Sequence, residues 1–305
     1  MIQPGPPVVS AGGNGPSPAL GKGAVGLRRR AVNWVACTLV VAMVVVALVP
    51  LVSVIGYTIL QGARDLSPRF LTHSMRGVGP LDATGGAYHS MLGTLEQVTI
   101  AGVLSIPLGI LVAVFIVEYG RGRVVLLVRF FIDVMTGIPS IVAGLFIFAF
   151  WVIGLHQGFS GLAAGLALAV LMLPVVARAT EEMLRLVPAE LREASWALGV
   201  PRWRTTLSVV LPTASAGITT GVVLAIARVT GETAPLLLTA FGFDSIKFSP
   251  FHGPQSALPL FVFAQAGSAF DVAIHRAWAG ALTLIIIVLL LTVVARLLTS
   301  RNRLA

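Results

Sequence analysis

Cysteine is almost absent from this 305-residue chain, which has one, Cys37, set inside an apolar run. An internal disulfide framework or a cysteine-based metal site is therefore excluded. Charge is also scarce. Asp, Glu, Lys and Arg make up 11% of residues, less than half of the roughly 25% usual in soluble domains. A chain so poor in polar groups cannot cover its own surface in water, which excludes a soluble enzyme. Catalytic spacing is missing as well: there is no HExxH, no GxSxG and no carboxylate pair at glycosidase-like spacing. His73, His89, His156, His252 and His275 are scattered without ligand spacing and are read as structural. No cofactor or metal is expected.

What remains is hydrophobic. Apolar residues are 56% of the chain, the mean hydropathy is +0.94, and several runs are long enough to cross a bilayer as helices, at about 18 residues or more. The expected fold is an all-α membrane protein, a polytopic helical bundle of six transmembrane helices with the lipid bilayer as its solvent. The formal net charge of +9 would suggest nucleic acid in a soluble domain. Here the basic residues set topology, and no nucleic-acid partner is expected.

Residues 1–30 read as a disordered, basic-ended cytoplasmic tail. The first 26 hold seven Gly and five Pro with one charge, Lys22, and Arg28, Arg29 and Arg30 close the segment. Such a stretch buries too little apolar surface to offset its ordering entropy. Its Gly15…Gly21-Lys22 stretch has a passing look of a phosphate loop. It fails on the five-residue gap, on the missing Ser or Thr after Lys22, and on the absent preceding strand.

A first transmembrane helix is expected at 31–60, an external loop at 61–90 and a helical core at 91–300. Within the core the spans are placed at 91–117, 128–154, 160–177, 207–227 and 277–298. With both termini inside, 15 Lys and Arg residues fall in cytoplasmic segments and 5 outside, as the positive-inside rule demands. Gly161-x3-Gly165 and Gly217-x3-Gly221 are small-residue patterns that let helix backbones approach closely.

The inside loop at 179–208 reads as two short amphipathic helices. Pro188 suits a first turn, with Glu190 and Glu193 near the positive helix end. Leu191, Ala194/Ser195 and Leu198 share one face. Gly199 fits a C-terminal cap that needs positive φ or a tight turn, and Pro201 prevents continuation. Such a helix suits either a groove on another protein or the lipid headgroups.

Glu193-Ala194-Ser195, three residues, Gly199, nine residues, Val209, one residue and Leu211-Pro212 resembles the signature loop of ABC importer permeases. The pattern is similar even though Ser195 replaces an Ala and Val209 an Ile. Gly231-Glu232-Thr233-Ala234-Pro235-Leu236-Leu237 after Ala227-Arg228 narrows the resemblance to the phosphate-specific (Pst) permeases, A-type. Ile106-Pro107-Leu108-Gly109, Glu118-Tyr119, the stretch from Gly137 to Val142 and Glu181-Glu182-Met183-Leu184 point the same way. Together they cover about 91–240.

The resemblance implies a type I-like ABC importer permease that moves inorganic phosphate and is not itself an enzyme. It implies three partners: a homologous second permease (PstC type), a dimeric ATP-binding subunit (PstB type) and an external phosphate-binding protein (PstS type). It also implies that Leu191, Glu193, Ala194, Ser195, Leu198 and Gly199 couple ATP hydrolysis to the bundle. A permease for another oxyanion or solute, or a stand-alone channel or secondary carrier, is the alternative.

Ionisable groups within spans are costly and mark cavities, pairs or pathways. Glu96 and Asp133, early in their spans, are read as structural. Arg228, Thr230 and Glu232 are the candidate substrate pathway. Guanidinium offers a planar fork of donors matched to phosphate. The competing reading is a local Arg228–Glu232 ion pair. Arg178 is either an inside anchor or an exit-side phosphate contact.

Overall fold

The computed structural model describes residues 26–79 and 81–301. Residues 1–25 of the expected tail lie outside the described residues, and the first helix already begins at Leu27, ahead of the expected helix start at 31. Among the described residues the chain is helical, with no strand and one isolated bridge between Phe241 and Gln255.

Helix α1 runs Leu27–Asp65. Its part up to Gly56 belongs to a first unit, and everything from Tyr57 onward forms the second. In the first unit the large side chains from Val32 to Ile55 are exposed, as expected of a helix whose surroundings are lipid or another chain.

The second unit contains α2 (Pro68–Thr72), α3 (Tyr88–Val114), α4 (Arg123–Gly137), α5 (Ser140–Ile147) and α6 (Gly161–Arg185). It continues with α7 (Ala189–Ala197), α8 (Arg202–Thr205), α9 (Leu211–Thr230), α10 (Ala234–Thr239), α11 (Leu258–Ala266) and α12 (Asp271–Arg301). Single π-helical turns extend α3 to Tyr119, extend α5 to Gly154 and join α8 to α9.

Among the described residues five helices are continuous, long and apolar enough to span a membrane, and α4 with α5 form a sixth candidate bent by 105°. The expected straight span at 128–154 is thus broken. Pro139 is the cause. It forces Ile138 out of the helical region, to φ −70° and ψ 127°, because the ring clashes with a helical preceding residue.

The bent pair still crosses the bundle once. Gly165 of α6 faces Ile100 of α3, and Val176 faces Gly109 further along, so α3 and α6 run parallel. The Ser105 hydroxyl, between those points, donates to Ala169 O at 2.9 Å. The α4–α5 pair joins the C-terminal end of α3 to the N-terminal end of α6 and must return across the full thickness. Helix α9 lies antiparallel to α6, with Gly217 against Met183 and Gly221 against Ala179. Gly165, Gly217 and Gly221 therefore mark close helix contacts, since no Cβ intervenes, whereas Gly161 makes room for Gln255 and Pro250 of the segment after α10.

Side chains are distributed inside out relative to a soluble protein. The core of α3, α6, α9, α10 and α11 packs Ala101, Ala164, Leu168, Met172, Ala225 and Leu236. It also buries Ser90, Thr94, Gln97, Ser105, Thr180 and Glu181. Many of the largest side chains face outward, including Leu111, Leu126, Phe130, Phe131, Phe146 and Leu224.

At one end the segment after α10 is seated between α3 and α6. Gln255 is 2% exposed and donates to Glu96, while Gln97 Nε2 donates to Gln255 Oε1 at 3.1 Å. Ser256 meets Ser90 at 2.9 Å, and Leu258 N donates to Thr94 Oγ1 at 2.8 Å. His89, placed in a loop by the sequence, is buried in the first turn of α3 and meets Ser90 at 3.0 Å. The opposite end carries α7.

Candidate functional site

Two places in the second unit carry the chemistry: a break between α9 and α10, and the loop around α7.

Helix α9 ends at Thr230, where Gly231 N bonds back to Arg228 O at 3.3 Å and Glu232 N to Val229 O at 3.2 Å. Pro235 in the first turn of α10 accounts for the break: it lacks the N–H that a continuous helix needs. Arg228 and Glu232, four apart, therefore do not share a helix face. They form no ion pair, and the described residues give Arg228 no carboxylate partner. Arg228 is exposed and Glu232 half-buried. The local-pair reading is not what the chain adopts.

A cavity of about 930 Å³ opens beside the break, lined by Gly231 and Thr233 and by Pro259, Val262 and Phe263 of α11. Thr230 does not face it. It is 1% exposed and its hydroxyl donates to Ile226 O at 2.7 Å, which removes it from the surfaces a solute could touch. Its β-hydroxyl is closer to its own helix carbonyl than to any space.

Arg178 is neither a free inside anchor nor an open anion contact. It pairs with Asp133 of α4 and with Glu181 Oε2 at 3.4 Å. Glu181, 2% exposed, also receives Arg129 at 2.8 Å and Arg185 at 2.6 Å. This three-arginine knot ties α4 to α6. Asp133 and Arg178 are 45 positions apart, so no local signal joined them. The Glu181–Arg185 spacing was visible, an i,i+4 pair in the favourable order.

In the loop, α7 has the predicted ends. Pro188 sits at the N-cap with φ −57° and ψ 142°, one position earlier than the first turn expected. Gly199 has φ +77°. Gly199 N bonds Trp196 O at 2.9 Å and Val200 N bonds Ser195 O at 3.2 Å. That bond pair is a Schellman closure, which requires the left-handed conformation that glycine adopts without strain.

The face read from the sequence divides. Leu191, Ala194 and Leu198 are exposed, Leu198 at 83%, and Glu193 is exposed beside them. Ser195 turns the other way. It is 8% exposed, and its hydroxyl meets Thr205 Oγ1 of α8 at 2.8 Å, so it holds the two loop helices together and does not join the outward face.

Arg192, not singled out in the sequence, anchors α7 to the bundle. Its Nε and Nη2 reach Glu118 Oε1 at 3.1 and 2.8 Å. Nη1 donates to Val187 O at 2.7 Å and Nη2 to Leu184 O at 2.9 Å. The side chains of Arg192 and Glu118 are 14% and 9% exposed. The end of α3, the end of α6 and the start of α7 thus meet on one guanidinium, a planar fork suited to several fixed acceptors.

Residues 105–304 match the family described as binding-protein-dependent transport system inner membrane component. The chain is 47% identical over 283 residues to phosphate transport system permease protein PstA 1 of Mycobacterium tuberculosis (strain ATCC 25618 / H37Rv), covering 91% of this chain and 92% of that one. It is 37% identical over 276 residues to phosphate transport system permease protein PstA of Yersinia pestis, covering 90% and 92%. In fold it is similar to a MetNI methionine ABC transporter in inward-facing conformations, with a TM-score of 0.56 at 20% identity, covering 71% of this chain and 94% of that one. With its long apolar helices, its broken α9–α10 element and its Schellman-closed α7 loop, the chain belongs to the binding-protein-dependent transport system inner membrane components.

Proposed function

We propose that this chain is the permease subunit of an ATP-driven importer that carries inorganic phosphate across the cytoplasmic membrane. One observation carries the reading: Arg228 stands exposed at a helix break with no ion-pair partner among the described residues, in a chain similar over nine-tenths of its length to phosphate permeases. An unneutralised guanidinium within a span is costly, and an anion in transit is the partner that offsets the cost. Glu232 is half-buried at the same break, and in this reading its carboxylate accepts the hydrogen bond donated by the proton that phosphate keeps near neutral pH.

In this reading the chain crosses six times with both termini and α7 on the cytoplasmic side, which the Lys and Arg distribution supports. A homologous C-type permease completes the passage, and an external phosphate-binding protein delivers the ion to the Gln255 end. A dimeric ATP-binding subunit takes the outward face of α7, formed by Leu191, Ala194 and Leu198 with Glu193 beside it. ATP hydrolysis belongs to that subunit. Gly199 closes α7, and Arg192 with Glu118 transmits its displacement to α3 and α6, which keep their relative register because their glycine contacts are close-packed.

The test is reconstitution of the assembled transporter in proteoliposomes. Uptake of radiolabelled phosphate that needs ATP inside and the binding protein outside supports the assignment. Uptake of phosphate without ATP, or ATP-driven uptake of a different solute in preference to phosphate, overturns it.

A further inference from the structure

A second cavity, this one polar, lies at the α7 end, away from the break between α9 and α10. It holds about 360 Å³ and is lined by Arg121, Arg185, Arg192, Arg202, Glu118 and Trp196, among others. Arg192 is matched by Glu118, and Arg185 by Glu181. Arg121 and Arg202 have no carboxylate partner among the described residues, and both are exposed. Arg202 stacks over the Trp196 ring at 5.5 Å, which holds its planar fork in place and leaves its N–H edges free.

Two forks with unused donors around one concave space make an oxyanion receptor. Tetrahedral phosphate is the group whose edges accept such forks in pairs. The site also adjoins apolar surface, since Phe115 and Tyr119 beside it are exposed, as are Val124, Leu126 and Leu127 at the start of α4. Trp196 and Trp203 are exposed as well, at 42% and 54%, the amphipathic rings that favour the headgroup level of a bilayer.

We propose that this pocket binds a phosphate group through Arg121 and Arg202, from an anionic phospholipid headgroup or from free phosphate in the cytoplasm. The proposal rests on the reading that the α7 end faces the cytoplasm. Basic pockets on that side are where anionic headgroups settle, and the flanking apolar side chains give the acyl tails a surface. Free phosphate would give the imported ion a second site on the side where it accumulates. In either case the ligand sits against Arg192 and Trp196 of α7, so its occupancy bears on the element that receives the ATPase.

The test uses the purified, assembled transporter in detergent. Equilibrium binding of radiolabelled phosphatidylglycerol and of radiolabelled inorganic phosphate is measured, with phosphatidylcholine as the neutral control. Wild type is compared with the Arg121→Gln/Arg202→Gln double variant, which leaves the Arg192–Glu118 and Arg185–Glu181 pairs intact, and with Arg228→Gln, which alters the proposed passage alone. The expected result is about ten-fold weaker binding of one anionic probe in the double variant, or about 1.4 kcal/mol, with that binding kept in Arg228→Gln. Loss of phosphatidylglycerol identifies a lipid headgroup, and loss of inorganic phosphate identifies the free ion.

Unchanged binding of both probes overturns the proposal, as does phosphatidylcholine binding as well as phosphatidylglycerol. Loss of the ATP-binding subunit from the double variant, with both probes unaffected, assigns the two arginines to a protein carboxylate and also overturns it. ATP-driven uptake by wild type is measured on the same preparations. Its absence would count against the importer assignment while leaving the binding result to stand by itself.

Discussion

Arg228 and Arg192 show how differently one side chain is used at two places in a bundle. Arg192 has four acceptor contacts within 3.1 Å, while Arg228 has no ion-pair partner among the described residues. Losing the two charge-assisted bonds that an anion would make to Arg228 corresponds to about 3 kcal/mol, or roughly two orders of magnitude in rate. Arg228→Leu is therefore expected to reduce phosphate uptake about a hundred-fold with the complex still assembled, whereas Arg228→Lys, which keeps charge but loses the fork, retains part of it. Normal uptake by assembled Arg228→Leu would remove the residue from the passage. Glu232→Gln keeps an acceptor but no longer repels a fully deprotonated anion, so sulfate should become a better competitor of phosphate uptake. Equal sulfate inhibition of wild type and Glu232→Gln would leave Glu232 without a part in selection. Local chemistry made Arg228 and Glu232 legible, because ionisable groups stand out in an apolar span. It could not reveal that Thr230 turns inward or that Arg178 pairs with Asp133, because both depend on which face of one helix meets another.

Among the elements, α7 was the most legible, because Pro188, Gly199 and Pro201 act within a few residues of the chain they terminate. Ser195 was assigned to the wrong side since positions 194 and 195 straddle the edge of one stripe, and only the packing of α8 separates them. The broken span at 128–154 had its signal in Gly137-Ile138-Pro139, read as a family trait and not as a bend. A β-branched residue at position 199 would have to hold φ near +77°, which costs about 1–3 kcal/mol. Gly199→Val should therefore displace the C-terminal end of α7 and uncouple ATP hydrolysis from uptake while membrane insertion continues. Full uptake by a normally expressed Gly199→Val transporter would contradict this. Arg192→Gln leaves the half-buried Glu118 without its partner and removes the tie from α7 to the ends of α3 and α6. Stimulation of the ATPase by the loaded binding protein should fall with it, while Arg192→Lys keeps charge and restores part. An Arg192→Gln transporter with wild-type stimulation would show that α7 is held by its other contacts.

For the whole molecule, parallel α3 and α6 with antiparallel α9 give two unlike ends, one seated on Gln255 and one clasped by Arg192. Orientation can be tested with the chain's own scarcity of thiols. After Cys37→Ala, a cysteine at Ser245 is expected to react with a membrane-impermeant maleimide in intact cells, and one at Ala197 only after permeabilisation. The reverse pattern would invert the topology and move α7 away from any cytoplasmic ATPase. The Gln255 end was not legible in advance: Gln255 and Ser256 look like ordinary loop residues, and their burial depends on α3, more than 150 positions earlier, and on Gly161 of α6. Their seat has a thermodynamic character of its own. The contacts of Gln255, Ser256 and the Leu258 amide with Gln97, Ser90 and Thr94 are hydrogen bonds, and water can replace each of them at a net cost of about 1 kcal/mol. Leu258 itself is 0% exposed and packs under these bonds with Phe70, Ala87 and Phe261, so the seam is polar at its rim and apolar beneath. Parting this seam is therefore cheap as far as its amides and hydroxyls and becomes costly only where Leu258 leaves its apolar neighbours.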